Sequence, residues 1–301
     1  VIATDRFGHP QYDFGVPATN FQGLNGRPFS QTGNPLGSNR YNKVNDILDQ
    51  LQGQLNFDVT FTPWLKFNST NSITLILSRF SHYENPFIGN AAATNGSIDK
   101  YTDVSYRWNY VQTLNAHKVF GLHDVQLMVG HEWYKMNYNF LEALARGGFS
   151  PAIQEINAFA DRYNSYSYQR NYNVEGYFAN FLYNFDQKYF AQASYRRDAS
   201  SRFAKKNRWG DFWSIGGAWI ISKEKFFQNL NTKWVDNLKL KASIGQQGND
   251  GIPNFNYIDM YTLVRGGQSM LPSFSGIGNP KITWETTTNF NLGLEFNLFQ
   301  N

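Results

Sequence analysis

At 301 residues the chain can form one large β domain or two smaller ones, and aromatic residues at 17% beside charged residues at only 17% exclude a disordered chain. The absence of cysteine excludes disulfide scaffolds, thiolate zinc sites and cysteine nucleophiles. A net charge of +4, spread along the chain with one denser stretch at Arg196–Arg208, is too mild for the basic stripe of a nucleic-acid binder.

The first residues, "VIATDRFGHPQYDFG", carry neither a basic n-region nor an apolar h-region, so any signal peptide is removed or lies upstream. The chain then falls into segments with a period of two, the mark of strands with unlike faces. In "LNFDVTF", Leu55, Phe57, Val59 and Phe61 alternate with Asn56, Asp58 and Thr60. After "TPW", a second strand sets Leu65, Phe67, Ile73, Leu75 and Leu77 on one side. "YRWNYVQTLNAHKVF" opposes Tyr106, Trp108, Tyr110, Leu114 and Ala116 to Arg107, Asn109, Thr113, Asn115 and His117. "DVQLMVGHEWY" aligns Val125, Leu127, Val129 and Trp133. "GYFANFLYNF" and "KYFAQASYRR" flank a turn at Asp186 and Gln187, and "FWSIGGAWII" follows. "LKLKASIGQ" sets Leu238, Leu240, Ala242 and Ile244 against Lys239, Lys241 and Ser243. The last segment, "NFNLGLEFNLF", is the most regular, with Phe290, Leu292, Leu294, Phe296 and Leu298 on one side and Asn291, Glu295 and Asn297 on the other.

Connections alternate in length. Short turns are expected at Thr62–Trp64, Gly121–His123 and Phe185–Lys188. Long stretches are expected between them, at Phe80–Val104, Asn137–Ser165, Ala199–Asp211 and Gly248–Thr283. Compact soluble domains rarely carry several loops beyond ~12–15 residues, whereas an outer-membrane barrel has tight turns on one side and long loops on the other. One connection, Ser222–Asn237, reads as a short amphipathic helix with Ser222 as N-cap.

A mean hydropathy of −0.51 and the lack of any apolar run near the ~18–20 residues of a membrane helix exclude a helical membrane protein. Barrel strands average out as polar, so a barrel remains. Five large apolar side chains on one face, at roughly 1.5–3 kcal/mol each, cannot be left in water. A carboxylate such as Glu295 cannot face lipid cheaply. The expected fold is therefore all-β, an antiparallel transmembrane β-barrel. Phe290, Leu292, Leu294, Phe296 and Leu298 face lipid in it, and Asn291, Glu295 and Asn297 face the lumen. Trp64, Trp108, Trp133, Trp213 and Trp219 lie near strand ends, where interfacial girdles form. The alternative is a large β-sandwich or solenoid whose oily faces bury each other, serving as a surface carbohydrate-binding or adhesion domain.

No catalytic constellation emerges. "HEWYK" lacks the second histidine of a zincin, and on a strand His131 and Glu132 point to opposite faces. His117 and His123 flank one turn region, where a surface metal is a weak reading beside that of ordinary strand residues. "GQQGNDG" lacks the GK[ST] ending of a phosphate loop. Asp250 with Asn249 and Asn254 could hold calcium, though turn chemistry explains them as well. The arginines of "RRDASSRFAKKNR" could meet lipopolysaccharide phosphates or pair with Asp198 and other carboxylates. Contact with a substrate falls to outer loops rich in Tyr and Asn, with Tyr163, Tyr166, Asn249, Asp250, Asn254 and Tyr257 as candidates.

"YQRNYNVEGYFANFLYNFDQKYFAQASYRRDASSRF" (Tyr168–Phe203) resembles the mid-barrel signature of the SusC/RagA family of TonB-dependent outer-membrane transporters. So do "WGDFWSIGGAWIISKEKFF", "NLKLKASIGQQGN" and "GNPKITWETTTNFNLGLEF", in the family's order. Ala199 stands where the family usually has Gly. The resemblance implies a 22-stranded barrel plugged by an N-terminal domain, of which residues 1–301 are a portion of the wall, without plug, TonB box or closing strands. It implies import of oligosaccharides or peptides rather than bond chemistry, with no cofactor. The implied partners are a SusD-like surface lipoprotein and a TonB–ExbB–ExbD motor acting through the N-terminal region.

Overall fold

A computed structural model of the chain describes residues 3–4, 10–11, 35–86, 90–230 and 234–299. Two short strands, β1 (Ala3–Thr4) and β2 (Pro10–Gln11), pair with each other, and a helix α1 (Pro35–Tyr41) precedes the main sheet. That sheet comprises β3 (Lys43–Thr62), β4 (Leu65–Glu84), β5 (Ser97–Phe120), β6 (His123–Gly148), β7 (Phe159–Phe185), β8 (Tyr189–Ser200), β9 (Trp209–Ile220), β10 (Val235–Asn249) and β13 (Glu285–Leu298). Between β10 and β13 a separate hairpin forms from β11 (Met260–Gly266) and β12 (Ser269–Gly276). The nine strands run β13-β10-β9-β8-β7-β6-β5-β4-β3 across the sheet, so chain neighbours are sheet neighbours apart from the excursion before β13. From β7 through β10 to β13 every neighbouring pair is antiparallel.

The expected short turns form for local reasons. Asp186 and Gln187 both take positive φ, 53° and 51°, which is the two-residue reverse turn whose twist matches that of flanking strands. The Lys188 N–H closes it onto the Phe185 carbonyl at 2.9 Å. At the next short turn Gly121 takes φ +59°, a conformation costly for any residue with a Cβ.

The long stretches are shorter than expected. β4 runs on to Glu84 and β5 begins at Ser97, while β6 reaches Gly148 and β7 starts at Phe159. Much of what reads as loop in Phe80–Val104 and Asn137–Ser165 is therefore strand. Strands of 20 to 27 residues exceed the ~9–11 that cross a bilayer, and their far halves lose the apolar alternation while keeping their backbone pairing. The helix expected over Ser222–Asn237 also contracts, to a 3-10 turn at Ile221–Lys223 and a four-residue α2 (Lys225–Gln228). Ser222 does not cap it. Its hydroxyl accepts the Leu238 N–H at 3.1 Å instead, and Glu224 occupies the cap position.

The chain divides into two compact bodies. One comprises Val1–Leu51, Thr74–Tyr106 and Asn137–Arg170; the other comprises Gln52–Ile73, Arg107–Met136 and Asn171–Asn301. Buried apolar groups are few in each. The first holds a cluster of Tyr83, Ile98, Ala145 and Phe159, with Ile156 and Ala158 against it. The second buries Phe203 and Phe212, and Trp284 packs on both rings.

Candidate functional site

Register turns the alternation of single strands into a property of a whole wall. In the second body, facing residues form rungs across β7, β8, β9, β10 and β13. One rung is Phe181, Ala193, Ile215, Ile244 and Phe290; the next is Tyr183, Ala191, Gly217, Ala242 and Leu292. The third is Phe185, Tyr189, Trp219, Leu240 and Leu294. None of these fifteen carries a charge. Phe290, Leu292, Leu294 and Phe296 are 56–68% exposed, and Leu298 is half-buried opposite Val235. Nothing among the described residues covers this face, which is not how a sandwich disposes of its oily side.

The band has a sharp end. On the same face beyond Tyr195 and Trp213 come Arg197 and Asp211, which face each other and pair at 3.7 Å, and then Glu175. Glu175 accepts the Tyr177 hydroxyl at 2.8 Å and lies 3.4 Å from His131. Aromatic rows thus bound the band, with Tyr189 and Trp219 at the short turns and Tyr195 and Trp213 six residues away, about 20 Å at ~3.4 Å per residue.

The alternate rungs mix polar side chains with small and apolar ones. Leu182, Gln192, Gly216, Ser243 and Asn291 form one; Asn184, Phe190, Ala218, Lys241 and Gly293 form the next. Glu295 accepts a hydrogen bond from Lys241 and stands 3.7 Å from Lys239, so the carboxylate has two counter-charges on the neighbouring strand. Asn297 lies opposite Asn237 on the same side. The two rungs, with Lys239, Asp124 and Gln126, line a depression of about 700 Å³. Further from the turns, Arg196 is gripped on two sides, donating from Nε to both oxygens of Asp198 at 2.8 and 2.7 Å and from Nη2 to Glu132 at 2.8 Å. Arg196 and Arg197 both meet carboxylates of this chain. The contacts also separate His131 from Glu132, as alternation requires, and send His117 to Asp124 at 2.9 Å while His123 meets the Tyr183 hydroxyl at 2.7 Å. No group of three or more His, Cys, Asp or Glu suited to a metal occurs among the described residues.

The expected substrate residues of the 249–257 stretch serve as structural anchors. Asp250 accepts the Tyr172 hydroxyl at 2.7 Å and the Ser200 hydroxyl at 2.6 Å, and Arg202 donates to its main-chain carbonyl at 2.9 Å. Its side chain is 16% exposed, and Arg202 also stands 3.4 Å from Oδ1. Donors already occupy the oxygens a calcium ion would need. Burial, and then the Asp250 carboxylate, push the Tyr172 hydroxyl well above the ordinary tyrosine range, so it stays a donor. Asn249 reaches Glu285 at 3.0 Å, Asn254 donates to the Asn171 carbonyl at 3.4 Å, and Tyr257 is half-buried. In the first body, Tyr163 and Tyr166 lie on β7 rather than in a loop. Tyr163 is 42% exposed, with the Arg146 guanidinium 4.2 Å from its ring centre.

Tyr166 belongs to an aromatic row that the sequence reading missed. Phe80 and Tyr101 stack at 4.7 Å, Tyr101 and Phe140 lie 5.5 Å apart, and Phe140 meets Tyr168 at 5.1 Å and Tyr166 at 5.7 Å. The row crosses four strands, β4 to β7. Its signal is an i, i+2 spacing of rings: Tyr138 with Phe140, and Tyr166 with Tyr168.

An antiparallel sheet with one bare apolar band, aromatic borders and a polar opposite face defines an outer-membrane β-barrel wall. Residues 3–301 match the model of the family described as "TonB dependent receptor-like, beta-barrel", and the chain belongs to that family of outer-membrane receptors and transporters. It is 31% identical over 233 residues to the TonB-dependent receptor SusC of Bacteroides thetaiotaomicron, covering 74% of this chain and 22% of that protein. It is similar in fold to the RagAB peptide importer in its closed-closed state, with a TM-score of 0.78 and 25% identity over 87% of this chain and 29% of the other. A second structure, of the RagAB peptide transporter, gives 0.81 at 24% identity over 88% and 30%. The chain thus spans less than a third of the length of each of these three.

Proposed function

We propose that the chain is part of the wall of a TonB-dependent importer that carries oligosaccharides or peptides across the outer membrane with a SusD-like surface lipoprotein. The single observation behind this is the set of rungs, in which five strands agree on one uncharged face. In this reading the rungs ending at Phe290, Leu292 and Leu294, with Phe296 and Leu298, meet lipid. Lipopolysaccharide surrounds their outer end. Asn291, Glu295 and Asn297 face the lumen. The likeness to a protein called SusC and to a peptide importer supports import, and "TonB-dependent" in the relative's name supports coupling to TonB–ExbB–ExbD. The 249–257 stretch is tied down through Asp250, while Tyr166 stands where a solute passes.

The test compares uptake of labelled oligosaccharides and oligopeptides in cells with the intact gene, without it, and without TonB. Import of one class that needs both the gene and TonB supports the proposal. Import unaffected by either deletion overturns it.

A further inference from the structure

The connection between β9 and β10 is fastened to the side of the sheet that carries the uncharged rungs. Glu224 accepts at Oε1 from both the Tyr189 hydroxyl and Trp219 Nε1, the latter at 3.1 Å. Tyr189 and Trp219 stand in the rung nearest the short turns, between Phe185 and Leu240. Lys223 donates to the Gln187 carbonyl at 3.1 Å, which ties the same segment to the turn between β7 and β8. The Leu238 N–H on the Ser222 hydroxyl holds its start against β10. The segment therefore lies along the end of the apolar band.

What it presents there is apolar. A line of ring contacts follows the short-turn end of the band, from Phe120 to His123 at 5.2 Å, on to Phe185 at 4.9 Å, to Tyr189 at 6.2 Å and to Trp219 at 6.4 Å. The next ring lies off the strands: Phe226 of α2, 6.3 Å from Trp219. Leu230 comes about one helical turn later. Trp234, where the chain returns to β10, meets Phe299 at 6.5 Å. Phe226, Leu230 and Trp234 are 52–56% exposed. Among the described residues, the charges of this segment and of the turn it touches cancel. Lys188 pairs with Asp186 at 3.0 Å, and Glu224 and Asp236 stand against Lys223 and Lys225.

We propose that Phe226, Leu230 and Trp234 make the β9–β10 connection an in-plane membrane anchor, seated in the phospholipid leaflet on the short-turn side of the outer membrane. The inference rests on the lipid assignment of the band and extends it to a segment that is not strand. Continuity decides the occupant. Phe226 prolongs the ring line from the uncharged face, at the level where rings border the band. Amphipathic segments that combine aromatic rings with lysines settle at that level of a bilayer. A protein partner is the poorer fit, because it would have to displace lipid from Tyr189 and Trp219 to reach Phe226. Since the charges cancel, insertion of apolar side chains holds the segment, and a neutral bilayer suffices.

The experiment puts single nitroxide labels into the intact transporter, reconstituted in phosphatidylcholine bilayers. It reads collisions with oxygen, which concentrates in lipid, and with a water-soluble nickel chelate. Residues 1–301 hold no cysteine, so each label enters at one substitution, with any cysteine elsewhere in the transporter replaced. Labels at Phe226→Cys and Leu230→Cys should give an oxygen-to-nickel ratio severalfold above that at Leu263→Cys, an exposed position on the β11–β12 hairpin. The ratio should stay below that at Leu292→Cys in the band. Heat-modifiable migration on a gel shows which variants fold, and either of positions 226 and 230 suffices. Nickel access at both equal to that at 263 overturns the anchor. So does shielding from both reagents, the sign of a covering protein. In either case a high ratio at 292 leaves the wall reading standing. A low ratio at 292 removes the wall reading and the anchor with it.

Discussion

The wall formed by β10 and β13 and the row of rings across β4 to β7 are both β-sheet, yet they obey different rules. On β10 and β13 the two faces share no chemistry: Leu238, Leu240, Ala242 and Ile244 oppose Lys239, Lys241 and Ser243, and β13 repeats the pattern rung by rung. In the outer halves of β4 to β7 the face that holds Phe80, Tyr101 and Phe140 also holds Asp103 and Glu142. The proposed lipid contact accounts for the first pattern, since a charge at the bilayer midplane costs roughly 2–4 kcal/mol in a barrel. Water enforces nothing of the kind, and there strand identity rests on backbone pairing alone.

The same substitution in the two regions should break the likeness between them most clearly. Leu294→Arg places a guanidinium in the apolar rung and should cost about 2–4 kcal/mol, enough to lower the amount of heat-modifiable barrel in outer-membrane fractions severalfold. Leu141→Arg, at a residue 60% exposed on β6 beside Phe140, should stay within about 0.5 kcal/mol and leave the yield unchanged. Equal loss from both would remove the distinction between a lipid-bound and a wet half of the sheet. Glu295→Gln keeps the hydrogen-bond acceptor for Lys241 and should assemble normally.

Asp250→Ala sharpens the comparison from the side of the loops. It strands the Tyr172 and Ser200 hydroxyls at about 1–3 kcal/mol per lost partner and removes the carboxylate beside Arg202, whose bond to the main-chain carbonyl survives. The backbone ladders of β7 to β10 do not use these side-chain bonds. The expected result is fast protease cutting or amide exchange within 250–284 with the heat-modifiable band intact. Loss of the whole barrel would mean that the anchor supports the wall. Gly176→Ala comes next in size. A Cβ there would sit 2.3 Å from Asp198 Oδ1 and 2.8 Å from Arg196 Nη2, so the pair must shift. About 1–3 kcal/mol follows. Thermal melting should register it, and Gly176→Ala combined with Arg196→Ala should cost less than the sum of the two.

What the sequence made legible follows the same divide. The short turns, the opposition of Leu294 to Glu295 and the separation of His131 from Glu132 are all readable, because a period of two assigns every second residue to one face and its breaks mark the turns. The extent of β5, β6 and β7 is not, because at "NSYSYQRNYN" every second residue is polar and its neighbours are tyrosine or arginine, a pattern that a loop shares. Ser222 looked like a cap because serine before a helical stretch usually is one; here the competing Leu238 N–H wins. The partners of Asp250 are not legible, because an isolated carboxylate in a glycine-rich stretch gives no hint of Ser200 and Tyr172, 50 and 78 positions away. The ring row was visible in principle, as tyrosines two apart, but only pairing between strands joins them.

The smallest effect tests whether family patterns carry local meaning here. Glycine is usual at the position of Ala199, which suggests a turn that needs positive φ. In this chain Ala199 lies in β8, paired with Glu175 on one side and Trp209 on the other, and is 7% exposed. Extended backbone asks nothing of glycine, and removing a buried methyl from a strand loses packing and adds freedom to the unfolded chain. Ala199→Gly should therefore destabilise slightly, by about 0.5–1 kcal/mol, readable as a fall of a few degrees or less in melting temperature. A rise instead would mean that β8 ends before residue 199 and that the outer rim turns where the family's glycine says it does. A fall would place the rim beyond Ser200, where Arg202 and Asp250 already hold it.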